Sequence, residues 1–198
     1  MSDAAPPRAV IFDLDGTLTE PLLDFDAMRA EIGLPPGLPI LEQLAAGDDA
    51  LRARGEVVLR RHERDAIERA TLADGCLELL AALRARDVPA GILTRNTREV
   101  VEIFVRKFGF ARSFAAHYTR EDGPPKPAPE GVFRLCRDLG VAPAETLVVG
   151  DYKFDVIAGR RAGCRTALVT AEEVDDLEDW GSPDFFVRTL RALLPLFE

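Results

Sequence analysis

Short apolar runs alternate with helical patterns along most of the chain. Residues 9–13 (AVIFD), 90–94 (AGILT), 114–118 (FAAHY), 146–150 (TLVVG) and 166–170 (TALVT) are continuously hydrophobic rather than alternating. That pattern belongs to strands buried on both faces, and it predicts a parallel sheet covered by helices. A weaker strand is expected at 185–187. Between the strands, Val100, Phe104 and Phe108 recur every four residues on one helical face, and Gly109 is a natural C-terminal stop. Asn96 followed by Glu99 resembles a capping box opening that helix. Pro127 or Pro129 opens the next helix, with Val132, Cys136 and Leu139 facing inward and Gly140 ending it. A repeated strand–helix order predicts an α/β fold with a doubly wound parallel sheet, whose ligands sit at the carboxyl ends of the strands.

One stretch breaks the alternation. From 19 to 71 there is no strand pattern; helices are expected at 24–32, at 40–46, and from Gly47-Asp48 to about residue 70. Leu51, Val58 and Leu59 mark the apolar side of the last helix, while Arg60, Arg61, Glu63 and Arg64 are expected to be solvated. The expected organisation is therefore a core domain of 1–18 and 72–198, with a small helical domain, 19–71, inserted after the first strand.

Composition narrows the class of partner. An apolar fraction of 47% with 30% charged residues fits a globular protein and excludes a disordered chain. The net charge of −9 repels nucleic-acid backbones and anionic membranes, so neither is expected as a partner. An anionic substrate would need a local cation or a metal. Cys76, Cys136 and Cys164 are odd in number, widely spaced and set among apolar neighbours, which reads as buried reduced thiols. The start, MSDAAPPRAV, has neither the basic nor the apolar part of a signal peptide, and no apolar run is long enough for a bilayer, so a cytoplasmic location is expected. His62 and His117 read as structural or surface histidines, and 172–179 as a solvated acidic connection beside one packed aromatic, Trp180.

The chemistry concentrates at the predicted strand ends. Asp13-Leu14-Asp15-Gly16-Thr17 follows the first strand. One acidic residue there would mean little, since Asp and Gly commonly terminate strands. Two carboxylates on a tightly turning chain project differently from one point, so one can contact a metal and phosphorus while the other reaches a leaving group. Carboxylates this close need a cation or hydrogen bonds to stay ionised together. Thr94 ends the second strand, with Arg95 and Asn96 behind it; Lys126 lies in GPPKPAPEG before the next helix; Gly150-Asp151 ends the fourth strand, with Asp155 four residues on. Each alone is common. In this order, on one rim of a sheet, they make a phosphate-handling site. Arg95 has two readings, a substrate contact or a partner of surface acids. No GxGxxG or P-loop is present, so nucleotide binding has no support.

This set, DLDGT with Thr94, Lys126 and GDYKFD, resembles the four motifs of the haloacid dehalogenase-like hydrolase superfamily, and the helical insertion resembles that superfamily's C1-type cap. The resemblance runs from about Val10 to Val169 and is to the phosphoglycolate phosphatase, sugar phosphatase and β-phosphoglucomutase branch. It implies a phosphatase for a small phosphorylated metabolite: Asp13 as nucleophile, Asp15 as acid and then base, Thr94 and Lys126 on the phosphoryl group. It also implies Mg2+ held by Asp13, the Asp15 backbone carbonyl and Asp151, with Asp155 in support. Asp15 and Asp151 favour phosphoryl transfer over dehalogenation, which has no alkoxide to protonate. A phosphomutase, or a binding protein without catalysis, are the alternatives; both Asp13 and Asp15 would be superfluous in the latter.

Overall fold

A computed structural model describes residues 5–171 and 180–197. The connection expected at 172–179 lies outside the described residues. The six strands are β1 (Ala9–Phe12), β2 (Ala90–Leu93), β3 (Ala116–Tyr118), β4 (Thr146–Gly150), β5 (Arg165–Val169) and β6 (Phe185–Val187). They form one parallel sheet in the order β3-β2-β1-β4-β5-β6. The chain moves outward from β1 to β3, then returns to the other side of β1 at β4. Because right-handed crossovers are favoured, that reversal puts the helices of the two halves on opposite faces. All four β1 residues are fully buried, as a central strand covered on both sides requires.

The chain divides into two compact units, Met1–Pro21 with Thr71–Glu198, and Leu22–Ala70. In the first unit the helices are α4 (Cys76–Ala85), α5 (Arg98–Phe108), α6 (Glu130–Leu139) and α7 (Lys153–Ala162), together with 3-10 turns at Pro143–Glu145 and Leu190–Phe197. Helices α6 and α7 pack on each other and on the sheet. Ile11, Leu93, Val132, Leu135, Val148 and Ala158 form the core between them, with Cys136 and Cys164 buried in the same cluster. All three cysteines are free and buried. Trp180 packs against Tyr152, ring centroids 5.6 Å apart.

The second unit holds α1 (Phe25–Ile32), α2 (Ile40–Ala46) and α3 (Asp49–Arg69). Its core gathers Met28, Ile32, Ile40, Leu44, Val58 and Leu59. Asp24 caps α1 through the Ala27 N–H, and Asp48 caps α3 through the Leu51 N–H. Gly55 sits inside α3 because a Cβ there would run into the Leu44 side chain. Glu63, expected to be solvated, is 5% exposed. Its charge suggested a surface position, but it stands four residues from both Leu59 and Ile67, on the buried stripe of the helix. His62 pairs with Glu31, which also binds Arg61. No helix among the described residues is long and apolar enough to cross a membrane.

Candidate active site

The strands stop one residue before the side chains of interest. Asp13 follows β1, and its N–H still donates to the Val149 carbonyl (2.8 Å); Thr94 follows β2, and its N–H donates to the Tyr118 carbonyl (3.0 Å). Strands β1 and β4 are neighbours, in the register Phe12 to Val149, so Asp13 and Asp151 emerge side by side. This is the point where strand order reverses and a parallel sheet opens a crevice at its carboxyl edge. Carboxylate oxygens of Asp13, Asp151 and Asp155 lie within 4.8 Å of one another. The Asp15 carboxylate is outside that group.

Lys126 is 3% exposed, and its Nζ lies 2.6 Å from Asp13 Oδ1 and 2.5 Å from Asp155 Oδ1. Burial alone would lower its pKa, but the two carboxylates more than offset that and hold the ammonium above its usual value. Asp155 also accepts the Tyr152 N–H at 3.3 Å, tying the start of α7 to the same centre. Gly150 is required before it, because a Cβ there would collide with the Asp155 side chain.

One ammonium does not balance this much negative charge. Burial, with the charges of Asp13 and Asp155, pushes the Asp151 carboxyl up to about 8 against the partial relief from Lys126. Burial raises Asp155 to about 6, opposed by Lys126. Burial and the Asp13 charge raise Asp15 to about 6, opposed by the Asn96 hydrogen bond and by Lys126. Asp151 forms no ion pair among the described residues, unlike Asp13 and Asp155. Converging carboxylates with an uncompensated charge fit a hard divalent cation, which takes oxygen ligands and would favour the ionised form of Asp151, the carboxylate with no ion pair of its own among the described residues.

Asn96 has a different place from the one its sequence context suggests. Helix α5 starts at Arg98 with Thr97 at its N-cap, so Asn96 is not the cap. Its buried amide donates to Asp15 Oδ2 and to Thr94 Oγ1 (3.2 Å), and its N–H donates to the same threonine oxygen (3.1 Å). The local signal for this role is a short amide two residues beyond a rim threonine, which the capping pattern overlies. Gly16 has a steric role of its own. It adopts φ +76°, and a Cβ there would collide with the Asp151 carboxylate, so the turn after Asp15 can lie against Asp151 only because it is glycine. Arg95 donates to the Lys126 carbonyl and lies over the Phe154 ring, 4.7 Å from its centroid. His117 contacts Arg98 (3.1 Å) and is not part of the centre described here.

The sequence as a whole has close counterparts. The family model described as haloacid dehalogenase-like hydrolase matches residues 37–169. A haloacid dehalogenase-like hydrolase domain-containing protein of Arabidopsis thaliana is 31% identical, covering 93% of this chain and 77% of that one. An N-acetylmuramic acid 6-phosphate phosphatase of Pseudomonas putida is 32% identical, covering 88% of this chain and 89% of its own length. The crystal structure of a hydrolase from Pseudomonas syringae superposes with a TM-score of 0.81 at 21% identity, covering 94% of this chain and 96% of that one, which establishes the fold. With a parallel sheet of the same design and relatives matched over most of their length, the chain belongs to the haloacid dehalogenase-like hydrolase family.

Proposed function

We propose that this protein is a magnesium-dependent phosphatase that hydrolyses a small phosphate monoester through an aspartyl-phosphate on Asp13. The observation that carries the reading is the convergence of the Asp13, Asp151 and Asp155 carboxylates at the carboxyl edge of β1 and β4, with the buried Lys126 ammonium bridging Asp13 and Asp155. The similarity to a phosphatase of a phosphorylated sugar acid supports the ester class, without naming the ester.

In this reading Asp13 attacks phosphorus and the bond to the leaving oxygen breaks, dividing one difficult displacement into two. Asp15, raised to about 6, is suited to hold a proton near neutrality, give it to the departing alkoxide, and later take one from the water that cleaves the acyl phosphate. Asn96 orients that carboxyl. Thr94 hydrogen-bonds a phosphoryl oxygen, and Lys126 offsets charge developing there, held in place by Asp155. Asp13, the Asp15 backbone carbonyl and Asp151 are the groups assigned to hold Mg2+, with Asp155 behind them. When bound, the ion supplies positive charge that relieves repulsion among the carboxylates and draws in the anionic substrate. By its place between the first and second motifs, the unit Leu22–Ala70 is assigned as the C1-type cap.

The test is turnover of p-nitrophenyl phosphate, then of a panel of sugar phosphates, phosphoglycolate and nucleotides. EDTA should remove activity and Mg2+ should restore it. Full activity in metal-free protein would overturn the reading.

A further inference from the structure

The loop carrying Lys126 has few backbone N–H groups with which to bond to itself. Pro124, Pro125, Pro127 and Pro129 have no N–H to donate. The Ala128 N–H donates to the Pro125 carbonyl at 3.1 Å, but neighbouring carbonyls accept from side chains on other elements. Arg95, just after β2, donates to the Lys126 carbonyl; Arg161, on α7, donates to the Pro127 carbonyl at 3.2 Å. Both carbonyls flanking the buried lysine's own peptide link to proline are therefore gripped by arginines from different parts of the core unit.

Arg95 makes a second connection. Its guanidinium lies 4.7 Å from the centroid of Phe154, which stands between Asp151 and Asp155 in the chain. Cation–aromatic contacts of this kind hold a planar guanidinium in one orientation. The Arg95 carbonyl in turn accepts from Arg120 at 3.1 Å, which holds the Arg95 backbone. One side chain thus joins three segments: the turn after β2, the Lys126 loop and the first turn of α7.

We propose that Arg95 is a positioning residue for the phosphatase centre: it sets the Lys126 backbone so that the ammonium falls between Asp13 and Asp155, and it does not itself bind the phosphoryl group. The inference rests on the phosphatase reading for its kinetic part only. Contacts of 2.5 and 2.6 Å from one ammonium to two carboxylates leave little tolerance for a shift of the lysine's Cα. A misplacement of ~1 Å in a catalytic group can cost up to ~10²-fold in rate. The role needs a donor and a flat group, not a positive charge, and this separates it from direct phosphate binding.

The experiment compares Arg95→Ala, Arg95→Gln and Phe154→Leu with wild type. Two measurements are made: hydrogen exchange of the segment containing Ala128, and kcat and KM for p-nitrophenyl phosphate with inorganic phosphate as competitor. Arg95→Ala should speed exchange in that segment and lower kcat on the order of ten-fold, with phosphate inhibition weakened alongside as Lys126 shifts. Arg95→Gln should recover most of these losses, and Phe154→Leu should show a smaller loss in the same direction. Unchanged exchange in Arg95→Ala overturns the proposal. So do equal losses of kcat and of phosphate inhibition in Arg95→Ala and Arg95→Gln, since a direct ligand needs the positive charge that Gln lacks. A wild type inactive on every ester would sink the phosphatase reading, while the exchange comparison would still decide the role of Arg95.

Discussion

Replacing Asp151 by asparagine should stabilise the metal-free protein while removing its response to magnesium. In the folded chain this carboxyl is raised from 3.8 to about 8, chiefly by burial and then by Asp13 and Asp155. The native state therefore holds a proton that the unfolded chain has released, and stability falls as pH rises from about 4 to about 8. At pH 7 the ceiling on that loss is about 4 kcal/mol, the difference between pH 7 and the unfolded value at ~1.4 kcal/mol per unit. Asn is nearly isosteric and does not ionise, so Asp151→Asn should recover about 1–3 kcal/mol at pH 7 in EDTA, after its own unmet amide bonds are deducted. Urea unfolding from pH 5 to 8.5 is the assay, with constant m values required for the comparison. Wild type in EDTA should lose stability towards high pH, and the variant should lose less; Asp15 and Asp155, both raised to about 6, leave a residual slope in each. Magnesium at ~100 times its Kd should stabilise wild type by ~2.7 kcal/mol and the variant by much less. A variant less stable than wild type throughout the EDTA series, or one keeping the whole magnesium shift, would refute the charge-repulsion account of this site.

Three further substitutions probe the neighbouring groups. Asp13→Asn should abolish turnover with the fold intact by circular dichroism; residual activity, with deamidation excluded by mass spectrometry, would place the nucleophile elsewhere. Asp15→Asn should slow alkyl phosphates more than p-nitrophenyl phosphate, whose leaving group departs without a proton, and equal losses under rate-limiting phosphoryl transfer would count against Asp15 as the acid. Gly16→Ala forces a Cβ against the Asp151 carboxylate at a φ of +76°, so it should lower stability by about 1–3 kcal/mol and weaken magnesium in an activity titration; wild-type values for both would remove the steric argument.

Local pattern was enough for much of this molecule. Continuous apolar runs at β1, β2 and β4 can only be satisfied by a sheet covered on both faces, and chemistry-bearing residues directly after such runs must lie on one rim. Asp13, Thr94 and Asp151 were legible for that reason. What periodicity and spacing cannot supply is which side chains meet across the sheet. The adjacency of β1 and β4 is a long-range choice, and with it come the shared charge of Asp13, Asp151 and Asp155 and the raised pKa of Asp151. Asn96 reads as a helix cap because capping is a local signal, whereas its bond to Asp15 depends on two loops from different strands. Arg95 reads as a substrate contact or a surface ion pair because a charge invites both; only the folded loop shows one of its N–H groups donating to the Lys126 carbonyl. Glu63 marks the same boundary from the other direction: its charge predicts solvent, and the helix carrying Leu59 and Ile67 turns it inward. Hydrophobic period follows from the backbone repeat and so can be read along the chain, whereas pairing and electrostatic environment follow from distances that exist only once the chain has closed on itself.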